Sequence, residues 1–201
     1  MRILSLKAGE KMKKAVLVLL VLCSMFLCGC DNSKRIDKAV IIESIVVNKG
    51  SYKFFYISNE EKSESVRIEA DSLERALKNL KTEHKPEVVL SKLELIAFAE
   101  NIDNEKYYAV LQDIKNNYSV SPSVYTAVCS NEILRLLDEP DTLEKCKEQI
   151  MLLEKKDKDI SSTLLKMNNN LSKSKKSLLY FPHISSNDGI TGEKVEIMIK
   201  K

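Results

Sequence analysis

The chain has 201 residues, with 32 Lys and Arg against 29 Asp and Glu, a formal charge of +3, no Trp, five Gly and four Pro. That length suits one ordinary domain and is short for two, and the scarcity of Gly and Pro favours regular helices and strands over a loop-rich scaffold. Lysines and glutamates are interleaved throughout, which excludes the concentrated basic face that nucleic acid needs.

In chain order, the first element is a signal. Lys11, Lys13 and Lys14 precede an apolar run from Ala15 to Leu27, which closes in Leu27-Cys28-Gly29-Cys30 before the polar Asp31-Asn32-Ser33-Lys34. A helix of these 13 residues is about 20 Å long, short of a hydrocarbon core of about 30 Å. The layout predicts a bacterial lipoprotein signal peptide over 1–29, with diacylglyceryl transfer to the Cys30 thiol and cleavage before it. The alternative is an ordinary signal peptide, or a buried helix in which Cys30 is a small apolar residue. Met12-Lys13-Lys14 opens a compact signal of its own, so Met12 is a second candidate start. Two acyl chains anchor far more firmly than one, so the mature chain is expected on the extracytoplasmic face of the cell membrane. Loss of residues 1–29 removes Arg2, Lys7, Lys11, Lys13, Lys14 and Glu10, and the charge falls from +3 to −1.

Residues 30–38 read as a lipidated tether and 39–201 as a single domain. Ala39 to Asn48 and Tyr52 to Ser58 are β-rich runs around Lys49-Gly50, which predicts an N-terminal hairpin. Asn59 to Ser65 is polar and reads as a loop, and Val66 to Ala70 as a short strand. Asp71 with Glu74 forms a capping box before Leu73, Ala76, Leu77 and Leu80 at helical spacing. Glu87 to Glu100 reads as one long, largely buried strand region. Tyr107, Val110, Leu111, Ile114 and Tyr118 stripe a second helix. Val124 to Cys129 is a strand, followed by a short helix from Asn131 to Leu137. Past Pro140, a second box of Asp141 and Glu144 opens a helix carrying Leu143, Cys146, Ile150 and Leu153. Lys155 to Asp159 reads as a solvated turn, Ile160 to Leu171 as a helix, Ser172 to Lys176 as a loop, and Leu178 to Ile184 and Lys194 to Ile199 as final strands. The alternation predicts an α/β fold, a mixed β-sheet with an N-terminal hairpin and packed amphipathic helices in a single domain. Leu77, Leu95, Ile96 and Leu111 are expected in its core.

The search for chemistry yields no enzyme. Neither His84 nor His183 has a carboxylate or cysteine at ligand spacing, so no metal or triad role is assigned and His84 reads as a solvated loop residue. No phosphate-binding, dinucleotide, hydrolase or metalloprotease motif occurs. The pairs Glu60-Glu61 and Asp157-Asp159 lie among lysines and read as solvated charge rather than acid/base catalysts. Tyr52, Phe54, Phe55 and Tyr56 read as strand core, with a ligand shelf as the alternative. Cys23 and Cys28 leave with the signal. Cys129 and Cys146 remain, and two buried free thiols are favoured over a disulfide. No catalytic, cofactor-binding or metal-binding residue is assigned, and any ligand-binding residue stays unknown.

From Arg35 to Leu137 the chain resembles the N-terminal domain of the Ger(x)C lipoproteins, the C subunits of the nutrient germinant receptors of spore-forming bacteria. Arg35-Ile36-Asp37 leads into the apolar strand Val40-Ile41-Ile42-Glu43-Ser44-Ile45-Val46, and Asp71-Ser72-Leu73-Glu74-Arg75-Ala76-Leu77 is in the style of the family's short helix. The nearest match is Val88-Val89-Leu90-Ser91-Lys92-Leu93-Glu94-Leu95-Ile96-Ala97-Phe98-Ala99-Glu100, similar to an apolar strand, a Ser-His pair and a second apolar strand. Lys92 stands in the histidine's place, Ser119 to Ser123 lacks the family's arginines, and full members run to nearly twice this length. The resemblance implies a role in spore germination, with the membrane and polytopic receptor subunits as partners and the spore inner membrane as the location. The alternatives are a solute-binding lipoprotein of a transporter and a structural lipoprotein of the cell envelope.

Overall fold

The computed structural model describes residues 39–57, 63–83, 87–139, 141–172, 176–186 and 189–200. The expected signal, Cys30 and the tether lie outside these residues, as do His84, Pro140 and the Glu60-Glu61 pair.

Strands β1 (Ala39–Val47) and β2 (Ser51–Ile57) form the predicted hairpin, with Ile45 opposite Phe54 and Val47 opposite Tyr52. β3 (Ser63–Glu69) pairs antiparallel with β2 and starts three residues earlier than the predicted strand. Helix α1 (Leu73–Glu83) follows, then the short β4 (Glu87–Val89) and β5 (Leu95–Ala99). The long strand expected over Glu87 to Glu100 is therefore two strands. Ile41 pairs with Val89 but Ser44 pairs with Leu95, so three extra residues bulge between them. The reason lies in Leu90 and Leu93, both buried, which tuck inward around a tight turn closed by the Leu93 amide on the Leu90 carbonyl at 3.1 Å. Helix α2 (Asn104–Asn117), β6 (Tyr125–Cys129), the short α3 (Asn131–Leu136), α4 (Thr142–Lys156), α5 (Leu164–Ser172), β7 (Lys176–Ser186) and β8 (Ile190–Lys200) complete the order.

The strands make one mixed sheet in the order β3-β2-β1-β5-β6-β7-β8, with β4 beside β1. Its centre is parallel and both flanks are antiparallel. Helices cover both faces. On one, Leu73, Leu77 and Leu80 of α1, Tyr107, Leu111 and Ile114 of α2, and Leu164 and Met167 of α5 pack with Ile45, Phe54, Ile96, Phe98 and Phe181. On the other, Ile133 of α3 and Cys146 and Ile150 of α4 pack with Val46, Leu95, Ala97 and Cys129. Central strands buried on both faces explain the unbroken apolar run of β5 and that of β1, which only Glu43 and Ser44 interrupt. Each fully buried Leu, Ile or Phe here contributes about 1.5–3 kcal/mol of transfer free energy.

Three local readings are corrected. The α1 cap is Ser72, whose Oγ accepts the Arg75 amide at 3.2 Å, while Asp71 holds the Arg75 guanidinium at 2.8 Å. Asp141 does not cap α4 with its side chain. It adopts φ 67°, ψ −10°, a left-handed turn that asparagine and aspartate tolerate. The helix expected from Ile160 begins only at Leu164, and residues 160–163 instead wedge between β6 and β7. The Thr126 amide donates to the Ser162 carbonyl at 2.9 Å, Thr126 Oγ1 to the Ser161 carbonyl at 3.1 Å, and the Ser161 amide to the Tyr180 carbonyl at 2.6 Å. Beyond the wedge, β6 and β7 pair directly at Val128 with His183 and Cys129 with Ile184.

Candidate functional site

The residues weighed for chemistry divide sharply. Tyr52, Phe54 and Tyr56 point from β2 toward α1 and α2, Phe55 points to the opposite core, and all four are buried. Their role is core, and no ring is left as a ligand shelf. Cys129 ends β6, Cys146 lies on α4, and both are free and buried. Burial pushes the Cys146 thiol up to about 11 and the Cys129 thiol well above its ordinary range. A thiol held protonated is a poor nucleophile and a poor metal ligand. Asp157 Oδ2 accepts Lys194 Nζ at 2.6 Å and its Oδ1 accepts the Asp159 amide at 2.9 Å, so the acidic pair closes the turn after α4.

Tertiary structure also assembles groups that are distant in the chain. His183 on β7 places Nε2 2.6 Å from Glu100 Oε1 at the end of β5, and Nδ1 3.0 Å from Glu193 Oε1 on β8. Both nitrogens can donate at once only when the ring is an imidazolium. The carboxylates are substantially exposed, so these are surface pairs of small net energy. Among the described residues no group of three or more His, Cys, Asp and Glu is arranged to hold a metal ion.

A second cluster ties α1 to α2. Lys106 Nζ donates to the Asp71 carbonyl at 2.5 Å and lies 4.7 Å from the centre of the Tyr52 ring. Asp113 receives the Leu73 and Glu74 amides at the start of α1. Burial, and then the charge of Glu74, raise the Asp113 carboxyl above its usual range despite those bonds, and burial lowers Lys106. The cluster serves as the helix cap that α1 would otherwise lack on that side.

Among the described residues two clefts open on the surface. The first, about 260 Å³, lies between α1, β4 and the segment after α2, with Leu77, Val88, Leu90 and Tyr118 as walls and Lys81 at its mouth. The second, about 600 Å³ and wide open, lies under the start of β6, with Tyr125 and Met151 as its apolar floor and Glu154, Lys155, Lys158 and Lys166 around it. Lys166 and Glu154 form an ion pair across it. The first cleft also takes in Ser91 and Ser119, whose hydroxyls share it with Lys81 and Tyr118. Both clefts sit toward the end of the sheet at which the parallel strands begin, the end where Ala39 enters. The sequence contained one sign of the second cleft: Met151 and Leu152 fall between the apolar positions that α4 buries, on the helix's outer side.

Compared with protein-family models, with curated proteins and with solved structures, the chain matches none.

Proposed function

We propose that the protein is a non-enzymatic lipoprotein held by Cys30 on the outer face of a bacterial cytoplasmic membrane, where it serves as an accessory subunit of a membrane receptor. Following the resemblance, that receptor is a nutrient germinant receptor and the membrane is the spore inner membrane. The observation that carries the reading is Leu27-Cys28-Gly29-Cys30 closing an apolar run behind a lysine cluster. Two features support it. The first described strand starts at Ala39, nine residues after Cys30, and nine residues span at most about 30 Å. The order of hairpin, helix, interrupted apolar strand, helix, strand and helix from β1 to α3 is also the order that the resemblance implies. Among the described residues no helix is long and apolar enough to cross a membrane, and the proposal assigns that task to the partner subunits.

Cys30→Ala should abolish incorporation of a palmitate analogue, and equal labelling of the variant sinks the anchor. A chain beginning at Asp31 should fold yet fail to complement a deletion, because the anchor supplies the local concentration that lets a weak contact hold a membrane partner. Crosslinking of the lipidated form in spore membranes should recover a polytopic membrane protein. Recovery of itself alone, together with normal nutrient germination of the deletion strain, would reject the receptor reading. The 260 Å³ cleft favours a second reading, a solute-binding lipoprotein. That reading requires a solute to raise the melting temperature of the domain.

A further inference from the structure

The large apolar side chains left exposed among the described residues are Met151, Leu152, Leu165, Leu178 and Met198. They come from four elements, and the topology gathers them at one end of the sheet. Met151 and Leu152 lie in the last turns of α4, Leu165 opens α5, Leu178 is near the start of β7, and Met198 faces it from the end of β8 as its register partner. α4 passes Lys147 beside Glu94 at the start of β5 and seats Leu153 near Gly192 of β8, so it crosses the sheet before the chain leads into the wedge at Tyr180 and Thr126, and the Leu165 amide bonds the Pro122 carbonyl just before β6.

The same end receives the tether. Register links Val128 to His183, Tyr125 to Leu95 and Leu95 to Ser44. Leu178 is thereby level with Ile42, three residues from Ala39. At about 3.3 Å per residue and about 4.8 Å per strand, it lies about 10 Å along the strands and about 20 Å across them from the point of entry. The opposite end of the sheet, marked by the exposed Lys49 in the β1–β2 turn, is about 33 Å from the point of entry along the strands.

Charge follows the apolar residues. Lys155, Lys156 and Lys158 are exposed at this end and have no carboxylate partner among the described residues. Glu154 is paired with Lys166 and Asp157 with Lys194, whose charge Asp159 also faces. Exposed Leu and Met beside unpaired lysines, around an open cleft with an apolar floor, match the interface of an anionic bilayer: side chains at the acyl boundary and ammonium groups among the phosphates.

We infer that this end of the domain rests on the anionic membrane surface to which Cys30 tethers the chain, so that the protein is oriented as well as anchored. The occupant is the lipid headgroup layer itself. This rests on the lipidation reading above, since a tether of at most about 30 Å obliges some face of the domain to lie near the bilayer, and the end containing Ala39 is the nearest. The two acyl chains already hold the chain on the membrane, so the patch supplies orientation rather than attachment.

The chain contains no Trp, so single reporters can be placed in the full-length lipidated protein: Leu178→Trp or Met151→Trp at the proposed contact, and Lys49→Trp at the far end. Each is reconstituted into phosphatidylcholine vesicles with and without phosphatidylglycerol, with brominated lipid as quencher and palmitate-analogue labelling scored in parallel. The inference expects strong quenching of the two contact reporters in vesicles with phosphatidylglycerol and little for Lys49→Trp. Adding Lys155→Glu and Lys158→Glu should drop the contact signal to the far-end level while lipid labelling is unchanged. Labelled protein whose contact and far-end reporters are quenched alike overturns the orientation and leaves the anchor standing. Contact reporters that are blue-shifted but unquenched would mean that protein, a second copy or a partner, covers this end, and would also overturn it. Unlabelled protein removes the anchor, and the inference falls with it.

Discussion

Cys146 and Cys129 show how far single residues can be read. Their positions, one on the apolar stripe of a helix and one closing an apolar strand, point to buried thiols, and both are free and buried. Because the folded thiols keep their protons to higher pH than unfolded ones, whose usual value is about 8.5, the stability they allow is intact below that value. It is lost as pH climbs toward the Cys146 value of about 11. In a chain beginning at Asp31, both thiols should resist a disulfide reagent at pH 8 until urea unfolds the domain. Rapid reaction of either in the folded state would show it accessible. The cap of α1 was only half legible. Asp71 and Ser72 are adjacent and both are good caps, so the pattern located the helix start while geometry chose Ser72. The set of His183, Glu100 and Glu193 was not legible at all, because its members come from β7, β5 and β8 and meet only when the sheet closes. Of the candidate site, the sequence made the Cys30 motif readable, and of the clefts it carried one sign, the outward Met151 and Leu152 of α4.

At the scale of elements, hydrophobic periodicity located the described helices and strands except for the division between β4 and β5, and the misses came where two segments compete for one place in the sheet. Glu87 to Glu100 is apolar enough for one strand, but Leu90 and Leu93 gain more by turning into the core than by staying in the ladder. Ile160 to Thr163 extends a helical pattern, yet Ser161, Ser162 and Thr163 are residues whose hydroxyls favour caps over helix interiors. Thr163 Oγ1 accepts the Lys166 amide at 3.4 Å at the head of α5, a signal the sequence contained. The seat of α4 on the final hairpin is testable at Gly192. A Cβ there would lie 2.8 Å from Leu153 Cδ1 and 3.3 Å from Ile184 Cδ1. Gly192→Ala should therefore cost about 1–3 kcal/mol, read from the urea midpoint. The penalty should shrink in a Leu153→Ala background, and an undiminished penalty would place α4 elsewhere.

For the whole molecule, the sheet belongs to both cores at once. Ile45 and Val47 of β1 face one cluster while Val46 faces the other, and in β5 Ile96 and Phe98 oppose Leu95 and Ala97. Leu111→Ala on one side and Ile150→Ala on the other should each cost about 2–5 kcal/mol, and both should move a single cooperative urea transition. Two separated transitions would mean that the layers fold independently. β1 has one more consequence, and it is mechanical. Any pull arriving along the chain from residue 38 enters at Ala39, and β1 is bonded to β2 on one side and to β4 and β5 on the other. Force along that strand loads its cross-strand bonds in parallel, so they must fail together instead of unzipping in turn. Had the chain been hung from β8, an edge strand bonded on one side, the grip would be half as wide. On the proposed anchoring the domain would be held through an interior strand, the attachment best suited to stay folded when the surface beneath it moves.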